Sequence, residues 1–147
     1  MSEDEPETIV DPAEGWVAKH VQRYVESDGL DGHLFHGMPT LLLTTRGRRS
    51  GTLRRTALIY GRHGDRFLVV ASNGGAAEPP AWYLNLDADP EVGVQVLADR
   101  FPARAVAASA KEKPRLWQVM AEIFPTYDRY QANTGREIPV VVIERTE

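Results

Sequence analysis

The sequence predicts a mainly β protein of the α+β class, built as an antiparallel barrel with a few peripheral helices. Two observations predict this class: five or six short apolar runs have the pattern of strands, and strand-like and helix-like runs do not alternate regularly. A chain of 147 residues is long enough for one domain with its own core. We therefore expect a single domain over residues 11–147, preceded by a disordered acidic tail over residues 1–10.

The negative charge of the chain is concentrated at its beginning. The formal net charge is −4, yet six of the 21 acidic residues fall within residues 1–14, which contain no Lys or Arg. In the rest of the chain 17 basic residues face 15 acidic ones, and five arginines lie between residues 46 and 55. Such a local positive patch attracts an anionic ligand even when the whole protein is acidic.

The composition excludes several kinds of chemistry. The chain has no cysteine, which excludes disulfides, thiolate nucleophiles, Cys-ligated zinc and iron–sulfur clusters. No apolar run approaches the length of a membrane span, and the acidic beginning lacks the features of a signal peptide. We expect a cytoplasmic protein whose redox chemistry, if it has any, comes from an organic cofactor.

The first predicted element is a helix over residues 11–28. Asp11 is placed to cap its N-terminus, Pro12 suits its first position, and Glu14 is placed to reach back to the cap. The helix ends at Asp28–Gly29. Its apolar and aromatic face, with helical spacing, consists of Trp16, Val17, His20, Val21, Tyr24 and Val25. The charges opposite have mixed sign, which favours packing on the protein over contact with a membrane surface.

The next predicted elements are strands. Leu41–Thr45 is short, apolar and bounded, as is typical of a buried strand. Residues 55–60 and 66–71 are predicted to form one β-hairpin around the turn His63–Asp65.

The second half of the chain begins with a predicted short helix, from Pro80 to just before Pro90. Alternating residues then predict a hairpin of strands 92–98 and 101–107, turning at Asp99–Arg100.

A capping box at Ser109–Glu112 indicates the start of another helix. Its apolar face consists of Leu116, Trp117, Met120, Ile123 and Phe124. Residues 139–143 predict the last strand.

Two glycine-containing loops indicate an anion site. The segment Arg46–Arg55 sets five arginines and two glycines between two apolar runs, and Ala71–Gly75 is a second glycine loop after a strand. Glycine lets backbone N–H groups approach one oxyanion, and arginine adds bidentate charge. Alone, the first loop has the alternative interpretation of a solvated basic turn. Together, the two loops favour one phosphorylated ligand held between them.

Four segments, taken in order, resemble the deazaflavin-dependent nitroreductase family, whose members use coenzyme F-420. They are Gly47–Gly51, Ala71–Gly75, Pro80–Pro90 and Tyr127–Val142. The resemblance spans roughly residues 40–145. It implies a split β-barrel of the FMN-binding type that assembles as a homodimer, in agreement with the strands predicted from the residues themselves.

The resemblance also implies which residues bind the coenzyme. Those implied to hold its phosphate and polyglutamate tail are Arg48, Arg49, Ser50, Gly51 and Arg54. Those implied to line the deazaflavin and its side chain are Thr56, Ala57, Val70, Ala71, Ser72, Asn73, Gly74, Gly75, Pro80, Ala81, Trp82 and Asn85. At Asn73 family members commonly have Lys, so one charge toward the coenzyme is absent.

The implied activity is hydride transfer from the reduced coenzyme to a small electrophilic acceptor, such as a quinone, an enone or a nitro compound. Ser72, Tyr127 and Tyr130 are the candidate catalytic residues, because a hydroxyl can hydrogen-bond an acceptor oxygen that gains charge. The alternative interpretation of both tyrosines is half-buried packing residues.

Other functions stay open at this point. A split barrel suits FMN or a haem-breakdown pigment as well, and a carrier or sensor would bind the deazaflavin without turnover. The four histidines have no matching carboxylates, so we expect no metal site. The arginine patch is not extended by a basic helix, which argues against nucleic acid. Contact of the first helix with the inner face of the membrane is the alternative to a position over the substrate pocket.

Overall fold

The computed structural model describes residues 8–12 and 15–147, and it is dominated by one β-sheet. The strands are β1 (Ile9–Val10), β2 (Leu34–Phe35), β3 (Met38–Arg46), β4 (Leu53–Ile59), β5 (Gly61–His63), β6 (Arg66–Val70), β7 (Glu91–Val96), β8 (Asp99–Ala107) and β9 (Val140–Arg145). The helices are α1 (Trp16–Glu26), α2 (Ala81–Ala88), α3 (Lys113–Ile123) and α4 (Thr126–Ala132). The predicted α+β class, with few helices, is confirmed.

Eight strands follow one path through the sheet, in the order β1-β4-β3-β7-β8-β9-β6-β5, and β2 pairs with β3 beside it. Every pairing is antiparallel except β1 with β4, which is parallel. Within the described ranges this path of hydrogen-bonded strands does not return to its start, so the sheet is open rather than closed into a ring.

Three apolar clusters bury both faces of the sheet. The largest holds residues from β3, β6, β7, β8 and β9, among them Leu41, Leu43 and Phe101. In a second cluster α3 and α4 cover β6 and β9, and in a third α1 covers Leu42. Successive strand residues point to opposite faces of the sheet, and both faces are covered here. Leu41, Leu42 and Leu43 are therefore all buried, which explains the continuous apolar run.

The first predicted hairpin, which pairs residues 55–60 with residues 66–71, is wrong in its strand pairing. β4 pairs with β3 through the arginine-rich loop, whereas β6 pairs with the short β5 around the predicted turn. The chain bends between β4 and β5, where the Tyr60 N–H donates to the Pro39 carbonyl. A Cβ at Gly61 would lie 2.7 Å from Met120 Sδ, so α3 approaches the bend closely only because this residue is glycine.

The turn of the second hairpin lies two residues earlier than predicted. Val96 pairs with Asp99, so Leu97 and Ala98 form the turn and Leu97 has a φ of 55°. The Leu97 N–H donates to the Tyr24 hydroxyl at 2.8 Å, and this bond from α1 holds the turn in place.

The beginning of the chain also differs from expectation. α1 starts at Trp16 with no side-chain cap, because the Asp11 carboxylate forms a bidentate ion pair with Arg55 instead, at 2.7 and 2.8 Å. Ile9–Val10, placed in the predicted tail, form a strand. Residues 1–7 of that tail, and the predicted contribution of Glu14 to the cap, lie outside the described residues.

The helices of the second half follow the predictions. α2 begins after Pro80, and α3 carries Pro114 in its first turn, where proline is tolerated. The Glu112 N–H donates to Ser109 Oγ at 3.2 Å, but α3 begins only at Lys113, so this bond lies in the turn before the helix and the predicted capping box does not cap α3. None of the described helices is long and apolar enough to cross a membrane.

We expect the substitution Tyr24→Phe to lower the free energy of unfolding by about 1–2 kcal/mol. The buried Tyr24 hydroxyl donates to the Thr40 carbonyl at 3.1 Å and accepts from Leu97, so its loss leaves these backbone groups without this partner. Urea unfolding measures the change. The control Tyr130→Phe, which removes a hydroxyl with no partner in the described part of the chain, should stay within about 0.5 kcal/mol of the parent. Equal losses in both variants would contradict the assignment.

Candidate functional site

A cavity of about 440 Å³ opens between β4 and β6. The backbones of β4 and β6 come close to each other but are not joined by hydrogen bonds, and the cavity lies where the two strands separate. Its lining residues come from α1, β2, β3, β4, β6, the glycine loop, α2 and α4: Trp16, His20, Phe35, Thr40, Ala57, Leu58, Ile59, Val70, Ser72, Asn73, Gly74, Pro80, Trp82, Phe124, Tyr127 and Tyr130. Apolar and aromatic surface with a few polar groups is the usual lining of a small-molecule site.

A second pocket of about 350 Å³ adjoins the first. Trp82 lines both pockets, and Thr56 of the second is followed in β4 by Ala57 of the first. The second pocket is bounded by the N-terminal segment Val10–Pro12, by α2 and by Arg54. The two pockets therefore share Trp82 as a common wall, with the tyrosines at the larger pocket and Arg54 of the arginine-rich hairpin at the smaller one.

The arginine-rich loop is a tight connection between β3 and β4. The Gly47 N–H donates to the Thr52 carbonyl and the Gly51 N–H donates to the Gly47 carbonyl, both at 2.8 Å. Gly51 has a φ of 71°, which favours glycine there. A Cβ at Gly47 would lie 2.7 Å from Ser50 Oγ, so both glycines are needed for this loop geometry.

Asn85 connects this loop to α2. Its Oδ1 accepts from the Arg48 N–H at 3.2 Å and from the Arg48 guanidinium at 3.1 Å, while its Nδ2 donates to Thr45 Oγ1 at 3.3 Å. The side chain is only 3% exposed. Asn85 is therefore the residue that joins the loop, the helix and β3.

The charge of the loop is largely uncompensated. Arg48, Arg49 and Arg54 are exposed, and within the described ranges none of them has a carboxylate within 4 Å. Arg55 is different, because Asp11 neutralises it. Three guanidinium groups that lie close in sequence, with no carboxylate partner among the described residues, favour binding of a multiply charged anion.

The second glycine loop is held by a single side chain, Arg136. Its Nη2 donates to the carbonyls of Ala71 and Ser72 at 3.1 and 2.8 Å, and its Nε donates to the Ala76 carbonyl at 2.9 Å. A Cβ at Gly75 would lie 3.3 Å from the backbone of Tyr130, so glycine lets α4 pack against this loop. The loop is thus held on one side by α4 and on the other by Arg136 of the segment that follows α4.

Three hydroxyl groups line the cavity near α4. The rings of Tyr127 and Tyr130 lie 6.4 Å apart, and Phe124 packs edge-on against Tyr127 at 4.9 Å. Tyr127 is 6% exposed and Ser72 is 9% exposed, yet neither hydroxyl has a hydrogen-bond partner within residues 8–12 and 15–147. Burial, and to a smaller extent the neighbouring Tyr130, raise the pKa of the Tyr127 phenol well above its ordinary value. That phenol is therefore a neutral donor at physiological pH.

From the sequence, a position of α1 over the substrate pocket is one of two alternatives, but no residue of this helix is predicted to be part of the site. Trp16 stacks on Phe35 with ring centroids 5.1 Å apart, and His20 meets the edge of Phe35 at 5.9 Å. His20 Nε2 lies 3.3 Å from Thr40 Oγ1. The signal in the sequence was the aromatic and histidine spacing on the helix, which is equally typical of core packing. α1 thus lies over the cavity rather than away from it.

The structure brings most of the predicted residues together. At the larger pocket are Ala57, Val70, Ser72, Asn73, Gly74, Pro80, Trp82, Tyr127 and Tyr130. At the smaller pocket are Arg54, Thr56, Ala81, Trp82 and Asn85. Those that line neither pocket are Arg48, Arg49, Ser50, Gly51, Ala71 and Gly75. The first four belong to the arginine-rich loop, whereas Ala71 is fully buried behind the wall.

Comparisons with known proteins agree on one family. The profile of the F420H(2)-dependent quinone reductase family matches residues 16–145. An F420H(2)-dependent quinone reductase of Mycobacterium tuberculosis is 39% identical over 143 residues, which cover 88% of this chain and 96% of that protein.

Two solved structures are similar over most of their length. One, described as a domain-swapped dimer, has a TM-score of 0.70 and 34% identity over 88% of this chain and 97% of its own. The other, an F420-H2 dependent reductase, has a TM-score of 0.67 and 36% identity over 72% of this chain and 94% of its own. The profile match, the mycobacterial relative and these structures together show that the chain belongs to the F420H(2)-dependent quinone reductase family.

Proposed function

We propose that this protein uses reduced coenzyme F-420 to reduce a quinone by hydride transfer. The observation that carries the proposal is the pair of pockets that share Trp82, one lined by the tyrosines and the other beside three arginines that have no carboxylate partner in the described structure, in a chain of this family. The pockets and these arginines together suit a ligand with a flat ring at one end and a polyanionic tail at the other. The coenzyme when bound supplies the hydride, and the protein supplies binding, orientation and electrostatics.

The residues present fit such a ligand. We assign the phosphate and glutamate carboxylates to Arg48, Arg49 and Arg54 with the backbone of Ser50–Gly51, because these groups are exposed and have no acidic partner in the described structure. We assign the ring to the region around Trp82 and the second glycine loop. Small side chains at Ala57, Ala81 and Gly74 leave room for a planar group there.

The remaining residues of the predicted binding set take supporting positions in this proposal. Val70, Pro80 and Thr56 line the walls, and Asn85 orients the arginine-rich loop. Ala71, Ser72, Asn73 and Gly75 act through the glycine loop that Arg136 holds in place.

The hydroxyl groups of Ser72, Tyr127 and Tyr130 are the proposed donors to the acceptor oxygen. An oxygen that gains charge is stabilised most by donors already in place and shielded from water. Tyr127 is a suitable donor, because its ring is buried in place, its phenol keeps its proton and its hydroxyl has no competing partner among the residues described.

We propose further that residues 11–147 form one split-barrel domain and that two copies form a homodimer. The parting of β4 from β6 around the cavity supports the first statement. The dimeric form of a relative that is 34% identical supports the second.

Titration with oxidised F-420, in parallel with FMN, tests the proposed ligand through its fluorescence. We expect binding of F-420 in the micromolar range or tighter, weakened by salt and stronger than binding of FMN. Preference for FMN would overturn the coenzyme assignment. Binding of F-420 without oxidation of its reduced form by 1,4-naphthoquinone would instead identify a carrier or sensor.

The double substitution of Arg49 and Arg54 by Gln should weaken F-420 binding about tenfold to hundredfold. Each lost charge-assisted hydrogen bond costs about 1.5–3 kcal/mol of binding free energy, and screening by solvent reduces this cost. The double substitution should also reduce the dependence of the Kd on salt. The control Arg104→Gln changes an exposed arginine of β8 outside both pockets, and it should leave the Kd unchanged. Equal weakening in the control would indicate a general charge effect.

The substitution Tyr127→Phe should lower kcat for quinone reduction about a hundredfold and change coenzyme binding little, because the lost donor orients and polarises the quinone oxygen that it bonds in the transition state. Since burial raises the pKa of this phenol, the parent should show no loss of activity from its ionisation below about pH 10. Steady-state kinetics against pH measure both effects. In the control Tyr83→Phe, a half-buried phenol of α2 outside both pockets, kcat should be retained.

A further inference from the structure

Among the described residues, His20 is the one histidine that lines the cavity between β4 and β6. Its hydrogen bonding defines the role of each ring nitrogen. Thr40 Oγ1 lies within hydrogen-bond distance of the Gly32 and His33 carbonyls, which can only accept. Because the hydroxyl has a single proton and donates it to these carbonyls, Thr40 Oγ1 accepts from His20 Nε2–H at 3.3 Å. Nδ1 has no partner in the described part of the chain.

His20 and the tyrosines reach the cavity from separate parts of the core. α1 packs through Val21 and Tyr24 on Leu42 of β3, whereas α4 packs through Tyr127 on the cluster of β6, β9 and α3. The cavity therefore has hydroxyl donors on the wall of α4 and an imidazole on the wall of α1.

The surroundings of His20 contain both signs of charge. The titratable and charged groups that face it are Lys19, Arg23 and Tyr24 on its own helix, Asp31 and His36 from the segment before β3, and Tyr127 and Tyr130 across the cavity. At the cavity β4 adds only the apolar Ala57, Leu58 and Ile59. Imidazole is the side chain that ordinarily changes charge between about pH 5 and pH 8.

Reduction of a para-quinone to the hydroquinone requires an O–H bond to form at each of the two oxygens, which lie at opposite ends of the substrate. A hydride accepted by one carbonyl oxygen forms an O–H bond there, and the electron pair moves through the ring to the opposite oxygen. That second oxygen becomes an anion and must receive a proton before the hydroquinone is complete. Donors on a single wall of the cavity serve only one of the two oxygens.

We propose that His20 is the proton donor for the second quinone oxygen. The Nδ1–H bond of the protonated imidazole breaks, a new O–H bond forms on the quinone, and the neutral ring is reprotonated from solvent. The hydride supplies both electrons, so no other reductant is needed. Thr40 holds Nε2, which leaves Nδ1 for the substrate. This inference rests on the proposed quinone reductase function and assigns selectivity for para-quinones to the wall of α1.

The variant His20→Gln separates the proton from the packing. A glutamine Nε2 can still donate to Thr40 Oγ1, but the side chain has no titratable proton. His36→Gln is the matched control, because His36 is exposed and does not line the cavity. It lines only a separate pocket beside α1, together with Lys19, Arg23 and Asp31. Single-turnover oxidation of reduced F-420 by 1,4-naphthoquinone, from about pH 5.5 to 8.5, gives the hydride-linked rate for each protein.

We expect the parent and the control to slow as pH rises across this range, and His20→Gln to be roughly tenfold to hundredfold slower near pH 6 with a flat profile. The Kd for F-420 should stay within about twofold. In the absence of coenzyme, the quinone should also shift the ¹⁵N resonances of the His20 ring in the parent. If His20→Gln keeps the pH profile of the parent, the role of His20 is overturned, whatever the absolute rate of the variant.

If the parent itself fails to reduce the quinone although it binds F-420, the proposed function fails and the role of His20 fails with it. Normal reduction by both the parent and His20→Gln would overturn the role of His20 alone.

Discussion

The site depends on the parting of β4 from β6 at the bend of Tyr60 and Gly61. Tyr60 remains bonded to the end of β3, while Gly61 begins the short strand that pairs with β6. Had β4 continued into a hairpin with β6, their backbones would have filled the space that is now the cavity. The close approach of α3 to Gly61 holds the chain in this bend. A residue without a side chain at this bend thus leaves room for α3 beside the two strands that line the cavity.

Two polar side chains then shape the loops beside the two pockets. Arg136 holds three backbone carbonyls of one loop, and Asn85 accepts two bonds from Arg48 in the other. Loops tend to be mobile, and a ligand that must order them loses part of its binding free energy. Bonds already formed within the protein reduce that loss. Preorganisation by Arg136 and Asn85 therefore complements the charge of the exposed arginines.

Local signals in the sequence predicted the class of fold and the short helices of the second half, whereas most of the residues at the two pockets were implied by the family resemblance. The arginine-rich loop was evident because five arginines with glycines have few structural uses. Strand pairing was less predictable, since the turn at residues 63–65 suits a hairpin whichever strand precedes it. The Asp11–Arg55 pair and the Tyr24–Leu97 bond join residues far apart in the chain, and no local pattern reveals them. For the same reason His20 looked like an ordinary helix-face residue.

The helices α1 and α4 lie on different apolar clusters, and neither belongs to the hairpin that carries the arginines. Substitutions in well-separated clusters combine nearly additively. A lineage can therefore change the wall of α4, and with it the proposed range of acceptors, while α1 and the arginine-rich hairpin on which it packs remain as they were. Divergence of acceptor range without loss of the shared coenzyme is an evolutionary path that this division of the core leaves open.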